Sequence, residues 1–118
     1  MRKVIFYSYS KCSTCRKALN WLNENNINYK FIDIVQETPS KVFLELALKQ
    51  YSLDIKKIFN TRGKNFRSLD IDILHSTKER IIELLSNDGK LIKRPFLIIN
   101  QSKVILGFNE SEYAANFK

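Results

Sequence analysis

An α/β fold with a four-stranded mixed sheet is predicted for this 118-residue chain. Three observations lead to it. Strand and helix patterns open the chain in the order β-α-β. The chain closes in the order β-β-α. Only helical patterns and loops lie between these two halves.

The elements follow in order. Residues 3–9, KVIFYSY, are apolar, aromatic and β-branched, as in a buried strand. CSTCRKALNWLNENN comes next, with Ala18, Leu19, Trp21 and Leu22 on one helical face and Asn25-Asn26 suited to a helix end. Residues 29–35, YKFIDIV, alternate with period two and read as a second strand. A strand, helix and strand in this order normally make a right-handed parallel crossover. Thr38-Pro39-Ser40 signals a helix start, with Ser40 or Thr38 as the cap. KVFLELALKQY then carries apolar residues at 42, 43, 46, 47 and 48. A short helix is expected over LDIKKIFN. TRGKNF has a glycine and no apolar period, so it reads as a loop. Thr77 or Ser76 can cap the helix KERIIELLSN, which ends near Asp88-Gly89. RPFLIIN (94–100) and KVILGF (103–108) are strands, joined at Gln101-Ser102 as an antiparallel hairpin. Glu110 or Ser111 starts a terminal helix. This is the order of a thioredoxin-like (glutaredoxin-like) fold in a single domain. Its core would occupy about 1–35 and 91–118, with a helical insertion at about 36–90.

Composition narrows the function. The chain is 44% hydrophobic and 27% charged, which suits a folded domain. No apolar run approaches the roughly 20 residues of a membrane span. The start, MRKVIFYSYSK, lacks the longer apolar stretch and small-residue cleavage site of a signal peptide. A cytoplasmic location, and no membrane contact, are therefore expected. Net charge is +8 and the pI about 9.6, which favours anionic partners or simply a solvated basic surface. The cations are spread along the chain, so no direct nucleic-acid binding is expected.

Both cysteines, Cys12 and Cys15, fall in the one stretch KCSTCRK. A metal clip would need more ligands, and the only histidine, His75, lies far off and reads as a surface or capping residue. A permanent disulfide is unexpected in a reducing compartment, and a loop this small gives it little stabilising effect. An inert buried pair is a fair rival, because cysteine packs well in cores. The polar surroundings argue instead for exposure of at least Cys12. At a strand-to-helix junction, free backbone N–H groups and the helix dipole favour negative charge, and Lys11 and Arg16 add to it. Such surroundings raise the thiolate fraction of a cysteine and make it a nucleophile. Cys15, three residues on, can share a helical face with Cys12, resolve a mixed disulfide or close a reversible switch. Arg62, beside Gly63, and Arg94, before Pro95, could together clamp a tetrahedral oxyanion. The aromatics, Phe6, Trp21, Phe31, Phe43, Phe96 and Phe108 among them, read as core.

Cys12, NTRG at 60–63, LLSNDGKLIKRP at 84–95 and LGFNESEY at 106–113 together resemble the arsenate-reductase-like (ArsC) family of thioredoxin-fold proteins. That family includes the Spx and MgsR redox regulators. The matches run in order over nearly the whole chain. The resemblance implies that Cys12 is the nucleophile, that Arg62 and Arg94 bind the oxyanion, and that Pro95 follows a cis peptide bond. Arsenate reductases of this type carry a third arginine near the last strand, whereas VILGFNES has none. The LGF ending is similar to small thiol reductases associated with glutathione, and to the regulators. The Cys12–Cys15 pair is similar to the regulator branch, where it is a disulfide switch. Spx uses a glycine in the insertion to contact polymerase; the corresponding stretch here, Ser52–Ile55, has none.

The expected function is that of a thiol-dependent oxidoreductase reducing an oxyanion or a mixed disulfide. Cys12 and Cys15 would be catalytic, and Lys11, Arg16, Arg62 and Arg94 would hold negative charge. No metal or bound cofactor is implied. Glutathione, glutaredoxin or thioredoxin would supply electrons, and a monomer is expected. The alternative is an Spx/MgsR-like redox-sensing regulator that binds the RNA polymerase α subunit.

Overall fold

The computed structural model describes residues 2–118. Four strands form one mixed sheet: β1 (Val4–Ser8), β2 (Lys30–Asp33), β3 (Phe96–Ile99) and β4 (Lys103–Leu106). Their order across the sheet is β2-β1-β3-β4. β1 runs parallel to β2 and antiparallel to β3, and β3 is antiparallel to β4. The predicted α/β class with a four-stranded mixed sheet therefore holds, as do the parallel first pair and the antiparallel hairpin.

Period-two alternation divides the sheet's side chains between two cores. Val4, Phe6, Leu97, Ile99 and Ile105 face α1 (Ser13–Glu24) and α5 (Glu110–Phe117). There Trp21 stands edge-on to Tyr113, with ring centroids 5.5 Å apart. Tyr7, Phe96, Ile98 and Val104 face the other way, into the helices of the 36–90 segment. These are α2 (Lys41–Gln50), the single turn α3 (Lys64–Arg67) and α4 (Lys78–Asn87). Leu44, Ala47, Ile81 and Leu85 from α2 and α4 join the sheet residues in one core. The insertion thus has no core separate from the sheet.

Caps set the helix starts. Ser40 and Thr77 accept the N–H groups of Phe43 and Arg80, deciding two choices that the sequence leaves open. Asn109 caps α5 through the Glu112 N–H. Four expectations shift. The second strand stops at Asp33, because the Asp33 carboxylate accepts the N–H groups of Val35 and Gln36 at 2.8 and 3.2 Å and turns the chain. The hairpin is centred on Asn100-Gln101, both left-handed at φ 53° and 57°, rather than on Gln101-Ser102. TRGKNF is not all loop: Arg67 N–H reaches Gly63 O and makes α3, a helix too short to show a period. Phe31, expected in the core, is half-exposed on the edge strand β2.

Two long-range contacts fix the ends of the insertion. Phe59 pairs with Ile92 as an isolated antiparallel bridge, with Asn60 N–H to Leu91 O and Lys93 N–H to Ile58 O both at 2.8 Å. Gly89 packs directly on the Ile34 carbonyl, where a Cβ would sit 2.7 Å from the carbonyl carbon.

Candidate active site

The site is built at one end of the sheet. Tyr7 of β1 pairs with Phe96 of β3, and Phe96 pairs with Leu106 of β4. The turn after β1, the segment before β3 and the exit from β4 therefore share that end.

After Ser8 the chain turns through Tyr9-Ser10-Lys11, closed by Cys12 N–H to Tyr9 O at 3.0 Å. Cys12 is the N-cap of α1, and its Sγ accepts the Cys15 N–H at 3.2 Å. A sulfur there meets the free N–H groups and positive dipole end of the helix. Cys12 is part-exposed and Cys15 is buried, and both are free thiols.

Burial is the main cause that pushes the Cys15 thiol up to about 12, and its hydrogen bond with Cys12 adds to the shift. The Ser8 hydroxyl and the Tyr9 backbone act against it. Cys15 is therefore a protonated thiol at neutral pH. Its folded pKa lies above the ordinary 9.0, so folding favours the neutral form. That stabilisation is complete below about pH 9 and is lost as pH rises toward 12. The buried Tyr113 hydroxyl, also pushed up by burial, acts in the same direction. The urea midpoint is expected to fall through this alkaline window. Cys15→Ala should flatten part of the fall, and an unchanged slope would rule out this account.

Arg94 comes from the segment before β3, ahead of the cis Arg94–Pro95 peptide bond. Its guanidinium lies over the Tyr9 ring, with Cζ 4.9 Å from the centroid, so it reaches the cysteine turn. Arg94 Nη1 is shielded from solvent and has no hydrogen-bond partner among the described residues. A shielded donor without an acceptor is costly, and an anion is the natural partner for it.

The other expected site residues are placed differently. Arg16 Nη1 donates to Ser10 O at 3.0 Å, so its guanidinium braces the turn. Lys11 is exposed on that turn. Arg62 is exposed on the Asn60–Gly63 turn, which the Asn60–Leu91 bond ties to the strand leading to Arg94. His75 is a surface residue, paired through Nδ1 with the Asp72 carboxylate, which raises its pKa. Among the described residues, no three His, Cys, Asp or Glu side chains gather as a metal site. Among the described residues, no helix is long and apolar enough to cross a membrane. Two contributors escaped the sequence reading: Tyr9, which carries Arg94, and Ser8, whose hydroxyl acts against the rise in the Cys15 pKa. Both flank the cysteine turn, and that adjacency was their only sequence signal.

The ArsC family model matches residues 7–116, so it takes in the cysteine turn, the arginine turn and the cis-proline segment. The chain belongs to the ArsC family. It is 41% identical to YusI of Bacillus subtilis, over 95% of this chain and 96% of that one. It is 33% identical to the regulatory protein MgsR of the same organism, over 94% of this chain and 87% of MgsR. A crystal structure described as a possible arsenate reductase from Streptococcus mutans superposes with a TM-score of 0.86 at 36% identity, covering 97% and 98% of the two chains. ArsC membership accounts for the thioredoxin-like fold and its four-stranded mixed sheet.

Proposed function

We propose that this ArsC-family protein is a thiol-dependent oxidoreductase with Cys12 as its nucleophile. The observation that carries the reading is the Cys12 sulfur at the N-terminus of α1, beside a turn that also supports Arg94, whose Nη1 has no acceptor among the described residues. The Cys12 thiolate attacks a sulfur of a disulfide substrate. A new S–S bond forms to Cys12, the substrate's S–S bond breaks, and the departing thiolate takes a proton from solvent. A second thiol, as its thiolate, then attacks the Cys12 sulfur and expels the bound half of the substrate. A further donor thiol attacks the donor sulfur of the resulting disulfide, releasing the Cys12 thiolate and leaving the donor as its own disulfide. An oxyanion such as arsenate is the alternative substrate, with Arg94 and Arg62 holding its charge.

Cys15 is a poor candidate for that second thiol. It is buried and protonated, and thiols attack as thiolates. Its state favours an external donor such as glutathione, glutaredoxin or thioredoxin. The test is turnover of a small disulfide, and separately of arsenate, with glutathione or thioredoxin recycled by its reductase. Turnover is expected with at least one pair, and Cys15→Ser should keep it within about tenfold. No turnover with any pair would sink the proposal.

A second reading is favoured by the similarity to MgsR and by the Cys12 sulfur lying against the Cys15 backbone N–H at 3.2 Å. It is a redox-sensing regulator in which Cys12 and Cys15 form a switch and the RNA polymerase α subunit is the partner. Co-purification with that subunit, without turnover, would select it.

A further inference from the structure

A cavity of about 700 Å³ opens at the same end of the sheet, beyond Arg94 on the β4 side. Lys56, Lys57 and Lys93 line it. Its apolar surface includes the buried Phe59 and the half-buried Phe66, whose rings contact each other at 5.6 Å. The Phe59–Ile92 bridge brings Lys56 and Lys57, remote in sequence, to Lys93. None of these lysines belongs to an ion pair among the described residues. Asp54 and Glu112 also line the cavity, so it offers three cations broken up by two anions. Such a lining suits a single carboxylate on a short apolar stem. It opposes a polyphosphate, which needs an unbroken run of cations.

Position links the cavity to Cys12. Lys93 and Arg94 are consecutive; Lys93 lines the cavity while Arg94 covers Tyr9 of the cysteine turn. Leu106, at the end of β4, also lines the cavity. From the end of β1 to the end of β4 is two strand spacings, about 10 Å. Three extended residues span about the same distance.

We propose that this cavity is a specificity subsite that reads an acidic residue of a peptide or protein disulfide, about three residues from the cysteine that joins Cys12. The proposal rests on Cys12 being the nucleophile. It names the substrate class as an acidic protein segment rather than a bare oxyanion. Lys56, Lys57 and Lys93 attract the carboxylate, and Phe59 and Phe66 take its apolar stem.

The test uses the full chain and short peptides whose single cysteine is activated as a pyridyl disulfide. Cys12 forms a disulfide to the peptide, the bond to the pyridyl sulfur breaks, and pyridine-2-thione leaves and is read by absorbance. Peptides carry Glu, Gln or Lys three residues before or after the cysteine. In one of the two placements the Glu peptide is expected to react about five- to tenfold faster than the Gln peptide, and the Lys peptide slowest. Combined Lys56→Gln, Lys57→Gln and Lys93→Gln substitutions should remove this advantage, as should high salt, which screens exposed charges. Dipyridyl disulfide, which carries no peptide, should react equally with parent and variant. Equal Glu and Gln rates in both placements, with fast reaction of dipyridyl disulfide, would overturn the subsite. Slow reaction of dipyridyl disulfide itself would instead overturn the assignment of Cys12, and with it the proposal.

Discussion

Cys12→Ser is expected to lower thiol-dependent turnover by at least about a thousandfold, because a hydroxyl does not ionise at neutral pH and no second exposed sulfur replaces it. The fold should survive the change. Serine is among the preferred N-caps, and its oxygen can accept the Cys15 N–H that the Cys12 sulfur now accepts. The variant should therefore match the parent in its urea midpoint to within about 0.5 kcal/mol. Iodoacetamide followed by mass spectrometry gives the matching readout. At neutral pH the parent should be labelled at Cys12 and the variant left unlabelled, since Cys15 is 1% exposed. Rapid labelling of Cys15 in the variant would show that the helix start opens readily, contrary to the packing described above.

Gly89→Ala should produce the largest loss of stability at a position far from the chemistry. A methyl there overlaps the Ile34 carbonyl oxygen and lies 3.1 Å from Val35 Cα, so backbone rather than a mobile side chain must move. The cost is expected to be about 3 kcal/mol, with a fall of roughly 10–15 °C in Tm. Gly63→Ala is the informative contrast. A Cβ there meets the Asn60 side-chain nitrogen at 2.6 Å, the far end of a side chain on an exposed turn. Its cost should stay within about 1 kcal/mol. Similar midpoints for the two variants, read by thermal and urea denaturation, would refute the close approach as the reason for glycine at position 89.

Local physics made much of the fold legible. The apolar, β-branched runs of β1 and β3 are a property of neighbouring residues and marked both as strands, while the folded sheet put Phe6 and Leu97 on one face and Tyr7 and Phe96 on the other. Cap chemistry is equally local, so the starts of α2 and α4 were readable to within the choice of hydroxyl. Where the reading slipped, the cause was a competing local bond or a missing period. Asp33 turned the second strand early, and α3 is one turn long.

The site was legible in parts. Two cysteines three apart before an apolar helical face located the helix start that carries both thiols without any knowledge of the rest. Arg62 and Arg94 were named as candidates, but convergence depends on contacts between distant segments. The Tyr9–Arg94 contact brings Arg94 to the cysteine turn, the Phe59–Ile92 bridge ties the Arg62 turn only to the segment before Arg94, and neither leaves a mark in local spacing. Arg16 shows the reverse. Its nearness in sequence suggested a hold on negative charge, and its guanidinium is instead engaged by the Ser10 carbonyl.

From the sequence alone came the element order, the helix caps and the cysteine turn at the start of α1, because each rests on interactions within a few residues. Tertiary structure decided which thiol is shielded, which arginine reaches the turn and how three lysines come to share a cavity. Those outcomes depend on burial and on pairing between residues tens of positions apart, and only the folded sheet with its insertion supplies them.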